Sequence, residues 1–173
     1  MSTPMNTPMS KLGIRLAIKG DVSSILAIYN ESIPKRIATA DLVPQTFDVR
    51  MAWFKSHDFA TRPIVVAVRD ERVVGWGSFT NFKERSAYAP TAEVSVYVSD
   101  AAAHQGVGRA ILDDLLERAD TCGIDRILAI CFSHNEPSLK LFRSRGFEQW
   151  GLLPDACALD RIRRSVTILG LSR

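Results

Sequence analysis

The apolar positions of this chain change period along its length, and each change marks an element. Ile14 to Ala17 reads as a short strand. Asp21 then caps a helix whose inward face carries Ile25, Leu26, Ile28 and Tyr29. Ser32 to Gln45, with Pro34 and Pro44 near its ends, reads as a loop that either lines a pocket or only connects; Phe47 to His57 returns to helical spacing through Met51, Trp53 and Phe54. Two β-rich runs, Ile64 to Val68 and Val73 to Phe79, joined by Arg69-Asp70-Glu71-Arg72, predict an antiparallel hairpin. In a third strand, Ala92 to Val98, alternation puts Ala92, Val94, Val96 and Val98 on one face and Glu93, Ser95 and Tyr97 on the other. Val107 to Cys122 is helical in period, through Ile111, Leu112, Leu115, Leu116 and Ala119, and closes at Gly123. A continuous apolar strand, Ile127 to Phe132, precedes the helix start Asn135-Glu136-Pro137, whose helix runs to about Ser144 and stops before Gly146. Phe147 to Trp150 and Ser165 to Leu169 are the last two strands.

This α/β order predicts one mixed sheet with helices packed on it, a single domain over residues 13–173 behind a flexible Ser/Thr/Pro-rich leader at residues 1–12. With 173 residues, of which 46% are hydrophobic and 24% charged, the chain is too short for a multidomain machine and too apolar for a mainly disordered one. A net charge of +3 is too mild to select nucleic acid or a membrane as partner. Three widely spaced cysteines, Cys122, Cys131 and Cys157, without a CxxC pair, speak against a disulfide framework and against zinc. No apolar run is long enough to span a bilayer and the leader lacks an apolar signal core, so a cytoplasmic location is expected.

The segment richest in chemistry is Gln105-Gly106-Val107-Gly108-Arg109-Ala110, between a strand and a helix. Glycines there let backbone N–H groups face an anion while the helix N-terminus adds partial positive charge; the same pair also serves a plain tight turn. A dinucleotide-binding fold would want a small residue where Ile111 stands and an acid where Phe132 and Ser133 stand. A P-loop would need Gly-Lys-Ser/Thr, which the chain lacks.

Val96 to Ala110, together with Asn135-Glu136-Pro137-Ser138 and Leu141-Phe142-Arg143-Ser144-Arg145-Gly146-Phe147, resembles the acetyl-CoA-binding half of the GNAT N-acetyltransferase superfamily. The run Arg85 to Val98 is similar to the phosphinothricin and methionine sulfoximine acetyltransferase branch. The resemblance implies an α/β (α+β) acyl-CoA N-acyltransferase fold, with a mixed, mostly antiparallel sheet of about six to seven strands flanked by helices. It implies acetyl-CoA as cosubstrate, no metal, and a homodimer. The backbone of Val96, Tyr97 and Val98 would bind the pantetheine arm, and His104, Gln105, Gly106, Val107, Gly108 and Arg109 would cradle the pyrophosphate. Asn135 and Ser138 would meet the cofactor from the neighbouring strand-helix junction. Glu93 would be the base for the substrate amine; its alternative is an acid on a solvated strand face. Lys83, Arg85 and Tyr88 would line the amino-acid site and meet a carboxylate or phosphinate, or else Lys83-Glu84-Arg85 is only a charged loop.

Two positions depart from the superfamily pattern. Ala103 stands where Gln or Arg usually precedes the loop glycines. Phe142 stands where a tyrosine or histidine assists proton transfer, and phenylalanine exchanges no proton. Among the remaining residues, Cys131 reads as core, with an acyl-cysteine paired to His134 as the minor alternative. His57 reads as a surface residue; Trp53, Trp76 and Trp150 read as core or interface packing; Arg161-Ile162-Arg163-Arg164 reads as the solvated start of a strand. The expected activity is acetyl transfer from acetyl-CoA to the α-amino group of a small amino acid or analogue by direct attack. Acetylation of a protein or peptide amine and a non-catalytic acyl-CoA-binding module are the rivals.

Overall fold

The computed structural model describes residues 10–173, so most of the segment read as a flexible leader, residues 1–9, lies outside the described residues. In chain order the elements are β1 (Gly13–Leu16), α1 (Val22–Ser32), α2 (Phe47–Lys55), β2 (Ile64–Arg69), β3 (Arg72–Asn81), β4 (Thr91–Val98), α3 (Val107–Arg118), β5 (Arg126–Phe132), α4 (Glu136–Arg143), β6 (Glu148–Leu159) and β7 (Ile162–Ser172). The strands make one seven-stranded sheet in the order β1-β2-β3-β4-β5-β7-β6. Every neighbouring pair is antiparallel except β4 and β5.

Successive strand side chains point to opposite faces, so a strand apolar at every position is covered on both. In β2, Val65 and Ala67 join a core with Ile111, Leu112 and Leu115 of α3 and Leu139 and Phe142 of α4. Ile64 and Val66 join a second core with Ile25, Ile28 and Tyr29 of α1. Helices α1 and α2 therefore cover one face of the sheet, and α3 and α4 the other. Along β4, Ala92, Val94, Val96 and Val98 pack on the α3 side and Tyr97 on the α1 side, the division that the alternation predicts.

Local turn chemistry sets several boundaries. The β2–β3 turn places Asp70 and Glu71 at φ 49° and 61°, so its two central residues are both left-handed, the hairpin geometry that matches strand twist. The helical period that continues to Cys122 is interrupted earlier: α3 ends at Arg118, and residues 119–123 form turns closed by Gly123 at φ 69°. Asp21 precedes α1 but makes no side-chain cap to it. Its carboxylate instead receives two bonds from the Arg15 guanidinium, at 2.6 and 2.9 Å, and one from the Ile18 N–H at 2.8 Å, tying β1 to the turn before α1. The tail strands are much longer than the segments that alternation marks. Gly151, Pro154 and Asp155 break the pattern, but β6 is an edge strand with bulges between Gln149 and Gly151 and between Leu153 and Cys157, where such residues cost no ladder bond.

Helix α3 lies unusually close to β3 because β3 carries Gly75 and Gly77. A Cβ at Gly77 would stand 2.6 Å from Ile111 Cγ2, 2.9 Å from the Ser95 carbonyl oxygen and 3.0 Å from Leu115 Cδ1. Backbone and fully buried side chains cannot yield there. Gly77→Ala should therefore lower the unfolding free energy by about 1–3 kcal/mol through overpacking, read as a lower urea midpoint at unchanged slope.

Candidate active site

The site begins where a strand pair ends. Strands β4 and β5 pair only through Thr91↔Arg126, Ala92↔Ile127 and Glu93↔Leu128. β4 runs on to Val98 paired with β3, and β5 runs on to Phe132 paired with β7. The β5-facing edge of residues 94–98 is thus left without a strand partner, and buried backbone groups require one. The gap is a groove with Ser95, Val96 and Tyr97 on one wall, Cys131, Asn135, Ser138 and Phe142 on the other, and Ala38 above.

At the far end of the free edge stands the α3 N-terminus. Gly106 is its N-cap residue at φ 78°, a conformation that glycine adopts without strain, and His104 is also left-handed at φ 60°. The first helical bond of the turn is donated by Ala110 to the Gly106 carbonyl at 3.0 Å, so the N–H groups of the preceding helical residues have no acceptor within the helix. A Cβ at Gly108 would touch Leu141, Val96 and Val98 at 3.5–3.7 Å, so the glycine keeps the groove's end open. Val107 is core and offers only its backbone. The Gln105 side chain accepts a bond from Arg69 and donates to the Ala101 carbonyl at 3.0 Å, which turns it away toward the β2–β3 turn. Arg109 is exposed, 3.9 Å from Asp113. The loop thus presents backbone donors with the exposed Arg109 beside them, an arrangement whose charge suits an anion.

Asn135 lines the groove, but both ends of its amide are engaged. Oδ1 accepts from the Ser138 N–H at 3.2 Å, capping α4, and Nδ2 donates to the Ile37 carbonyl at 3.1 Å. Together with His134 Nε2 on the Arg36 carbonyl at 3.0 Å, this bond straps the 33–45 loop over the groove. Arg36 pairs with Asp160, Lys35 with Asp100, and the Tyr97 hydroxyl donates to the Ala38 carbonyl at 3.4 Å. That loop, legible in the sequence only as a connection or a pocket wall, is the roof.

Glu93 sits at the last paired position before the gap. It is half-buried, and burial pushes its carboxyl above the ordinary carboxylate range, with no cation or hydrogen bond to oppose the shift. Two residues on, Ser95 and then Tyr97 share its face and line both the groove and a second cavity of about 330 Å³. Tyr29, Arg50, Trp53, Trp76, Ser78 and Thr80 complete that cavity, and Thr80 is the direct cross-strand partner of Glu93. Burial raises the Tyr97 phenol far above its usual value, so it stays a hydrogen-bond donor at neutral pH.

Lys83 and Arg85 line a different cavity, of about 300 Å³, with Arg62, Asn81 and Cys122. Tyr88 is exposed and packs its edge on Phe82 with ring centroids 5.7 Å apart. Neither the groove nor the cavity of about 330 Å³, the two that Ser95 and Tyr97 line, is lined by Lys83, Arg85 or Tyr88. Cys131 is buried and its thiol is pushed up to about 12, chiefly by burial and then by Glu93, so it is a neutral wall of the groove. The His134 ring stacks on Phe132. The surface reading of His57 is corrected: its Nδ1 shares a 2.9 Å hydrogen bond with the Trp53 carbonyl, its ring packs on Trp53, its Nε2 is buried without a partner, and burial lowers its pKa. Phe142 is buried against Phe147. Trp53 and Trp76 pack the α1-side core, whereas Trp150 is exposed over Gly170.

Sequence reasoning passed over Arg50, Trp53, Ser78, Thr80 and Ser95 as site residues. One signal was present. Arg50 lies three residues before Trp53, on the same helix face, and so places a guanidinium on the side that packs against the sheet.

A splayed parallel pair, a free strand edge and a glycine-started helix aimed at its end together form one open groove. The chain belongs to the Acetyltransferase (GNAT) family, which it matches over residues 25–147. It is 44% identical over 159 residues, covering 91% of this chain and 96% of the relative, to YwnH of Bacillus subtilis (strain 168), a protein named for phosphinothricin acetylation. It is 31% identical over 141 residues, 82% of each chain, to the L-methionine sulfoximine/L-methionine sulfone acetyltransferase of Salmonella typhimurium. Its fold superposes with a TM-score of 0.88 on the phosphinothricin acetyltransferase of Sinorhizobium meliloti in complex with AcCoA, at 27% identity and covering 93% of this chain and 88% of that one. Among the described residues no helix is long and apolar enough to cross a membrane.

Because Glu93 holds its proton more tightly in the folded state, folded stability falls as pH rises from the ordinary carboxylate range through the raised value. Glu93→Gln should be the more stable protein at neutral pH. The difference should vanish below about pH 4, where the carboxyl is protonated in both states. Thermal melts of the pair across pH check this.

Proposed function

We propose that this protein transfers the acetyl group of acetyl-CoA to the α-amino group of a small amino acid or analogue, of the phosphinothricin or methionine sulfoximine and sulfone type, without a metal and in the cytoplasm. The observation that carries the reading is the placement of Glu93. A carboxylate of raised pKa stands where the free edge of β4 begins, so a base and unpaired backbone donors meet at one point.

When bound, acetyl-CoA supplies an activated acyl group as a thioester. The β4 edge from Val96 to Val98 would hold its pantetheine arm, and the backbone of residues 104–109 its pyrophosphate. Glu93, directly or through water, would take the proton from the substrate ammonium, and the β4 donors would polarise the thioester carbonyl. Holding amine and thioester in register supplies much of the rate. Phe142 faces the groove where a proton donor would help the leaving thiolate; its lack of one is the feature that favours the non-catalytic acyl-CoA-binding alternative. A homodimer is also proposed. It is supported by the outer edge strand β6, where Trp150, Leu152 and Leu153 are exposed.

Thiol release from acetyl-CoA over a panel of amino acids and analogues tests the activity. Turnover is expected with sulfone- or phosphinate-type amino acids, falling roughly 100- to 10,000-fold in Glu93→Gln. Tight acetyl-CoA binding without turnover on any amine would leave a binding module, and full activity in Glu93→Gln would remove the base. Phe142→Tyr should alter the rate or its pH profile, and no change in either removes the proposed deficit at that position. Sedimentation velocity should give twice the mass of the chain, and a monomer would refute the dimer.

A further inference from the structure

Arg50 is a cation in the wrong place for a structural one. It projects from α2 into the α1-side core and is only 3% exposed. Its guanidinium carbon lies 4.0 Å from the centre of the Tyr29 ring, 4.6 Å from that of Trp53 and 5.5 Å from that of Trp76. It takes part in none of the ion pairs among the described residues, and its buried Nε has no hydrogen-bond partner. The one acid whose charge acts on it, Asp41, spends its Oδ2 on the Tyr29 hydroxyl at 2.7 Å and Gln45 Nε2 at 2.6 Å. Aromatic faces attract a cation, but they satisfy no N–H in the ring plane; the Tyr29 hydroxyl takes part of the guanidinium's hydrogen bonding and Nε remains unspent. A buried charge without a counter-ion is costly, and one that opens on a cavity is a site for an anion.

The cavity indicates which anion. Arg50 lines the 330 Å³ space whose other residues include Ser78, Thr80, Ser95 and Tyr97. Ser95 and Tyr97 also line the acyl groove, and Thr80 pairs with Glu93. Glu93 and Ser95 are two residues apart on one strand face, about 7 Å. An α-amino acid carries its carboxylate one carbon from its amine, so amine at Glu93 and carboxylate in this cavity fit one molecule. Lys83 and Arg85, the cations that the sequence singles out for this role, open on another cavity.

We propose that the Arg50 guanidinium, boxed by Tyr29, Trp53 and Trp76, binds the α-carboxylate of the amino-acid substrate and so restricts the enzyme to free amino acids. The proposal rests on the amino-acid acetyltransferase reading. Ser78, Thr80 and Ser95 supply neutral polar contacts beside the bound group, and the aromatic walls exclude water that would screen the pair. A guanidinium–carboxylate pair in such a place is bidentate in geometry and discriminates strongly against an uncharged carboxamide.

Trp53 and Trp76 touch the site, so equilibrium binding can be followed by their fluorescence without any turnover. The full chain, with acetyl-CoA present, is titrated with L-methionine sulfone and with its carboxamide. The acid should bind roughly 10- to 100-fold more tightly than the carboxamide, and Arg50→Met should collapse that ratio to near one, with Arg50→Lys recovering part of it. Equal binding of acid and carboxamide by the parent protein overturns the proposal and needs no variant. It is also overturned if Arg50→Met, folded by circular dichroism, keeps the ratio or weakens both ligands in parallel, as a side chain that only pins α2 would. Collapse of the ratio in Lys83→Met or Arg85→Met while Arg50→Met retains it would move the carboxylate to the other cavity. Turnover with equal binding of the two ligands refutes this anchor alone. An Arg50-dependent ratio without turnover refutes the transferase reading and leaves the carboxylate site standing.

Discussion

The open groove in this molecule depends on the parallel pairing of β4 with β5 stopping after three residue pairs. A strand that loses its neighbour inside a protein must satisfy its backbone by other means, or leave it for a ligand. Here β4 stays rigid because its other edge remains bonded to β3 through Val98, and β5 stays rigid because β7 holds it along its whole length. The gap is therefore a fixed opening between two stiff walls. An extended, amide-bearing ligand can complete the sheet there at little cost in ordering the protein.

The surrounding parts make sense as supports of that opening. Gly75 and Gly77 let α3 settle against β3, which points the helix N-terminus at the end of the free edge. Gly106, free to be left-handed, turns the chain sharply enough for the first-turn N–H groups to face outward. The 33–45 loop closes the groove from above. It is held by side chains from both walls, Tyr97 on β4 and His134 and Asn135 before α4, so the roof and the walls share their hydrogen bonds. Asn135 thus serves the site by fixing its roof and by capping α4.

On the other face of β4 the chemistry is that of burial. Glu93, Tyr97 and Arg50 are ionisable groups placed among apolar and aromatic neighbours, and in each case desolvation dominates the shift toward the neutral form. None is neutralised by a close ion pair, whereas Asp21, also buried, is held by Arg15 and keeps its charge. Satisfied ions mark structural joints in this protein. Arg50, left without such a partner, lines the cavity that shares Ser95 and Tyr97 with the groove.

The sequence by itself determined the order of elements, the β2–β3 hairpin, the division of β4 into an apolar face and one carrying Glu93, Ser95 and Tyr97, and the glycine-started helix. These depend on local period and on residues with special backbone freedom, which act at short range. The full length of β6 was hidden, because an edge strand tolerates Gly151 and Pro154 and local propensity then says little about pairing, and the length of β7, its partner, was hidden with it. Which cation lines the cavity beside Ser95 and Tyr97 was decided only in three dimensions. Lys83 and Arg85 are close to Glu93 along the chain yet open on another cavity, while Arg50, more than forty residues away, is brought beside Ser95 and Tyr97 by α2 packing against α1 and its core. Charge in a sequence has a sign and a position, but whether it is paired, solvated or waiting for a ligand depends on neighbours that only the folded chain assembles.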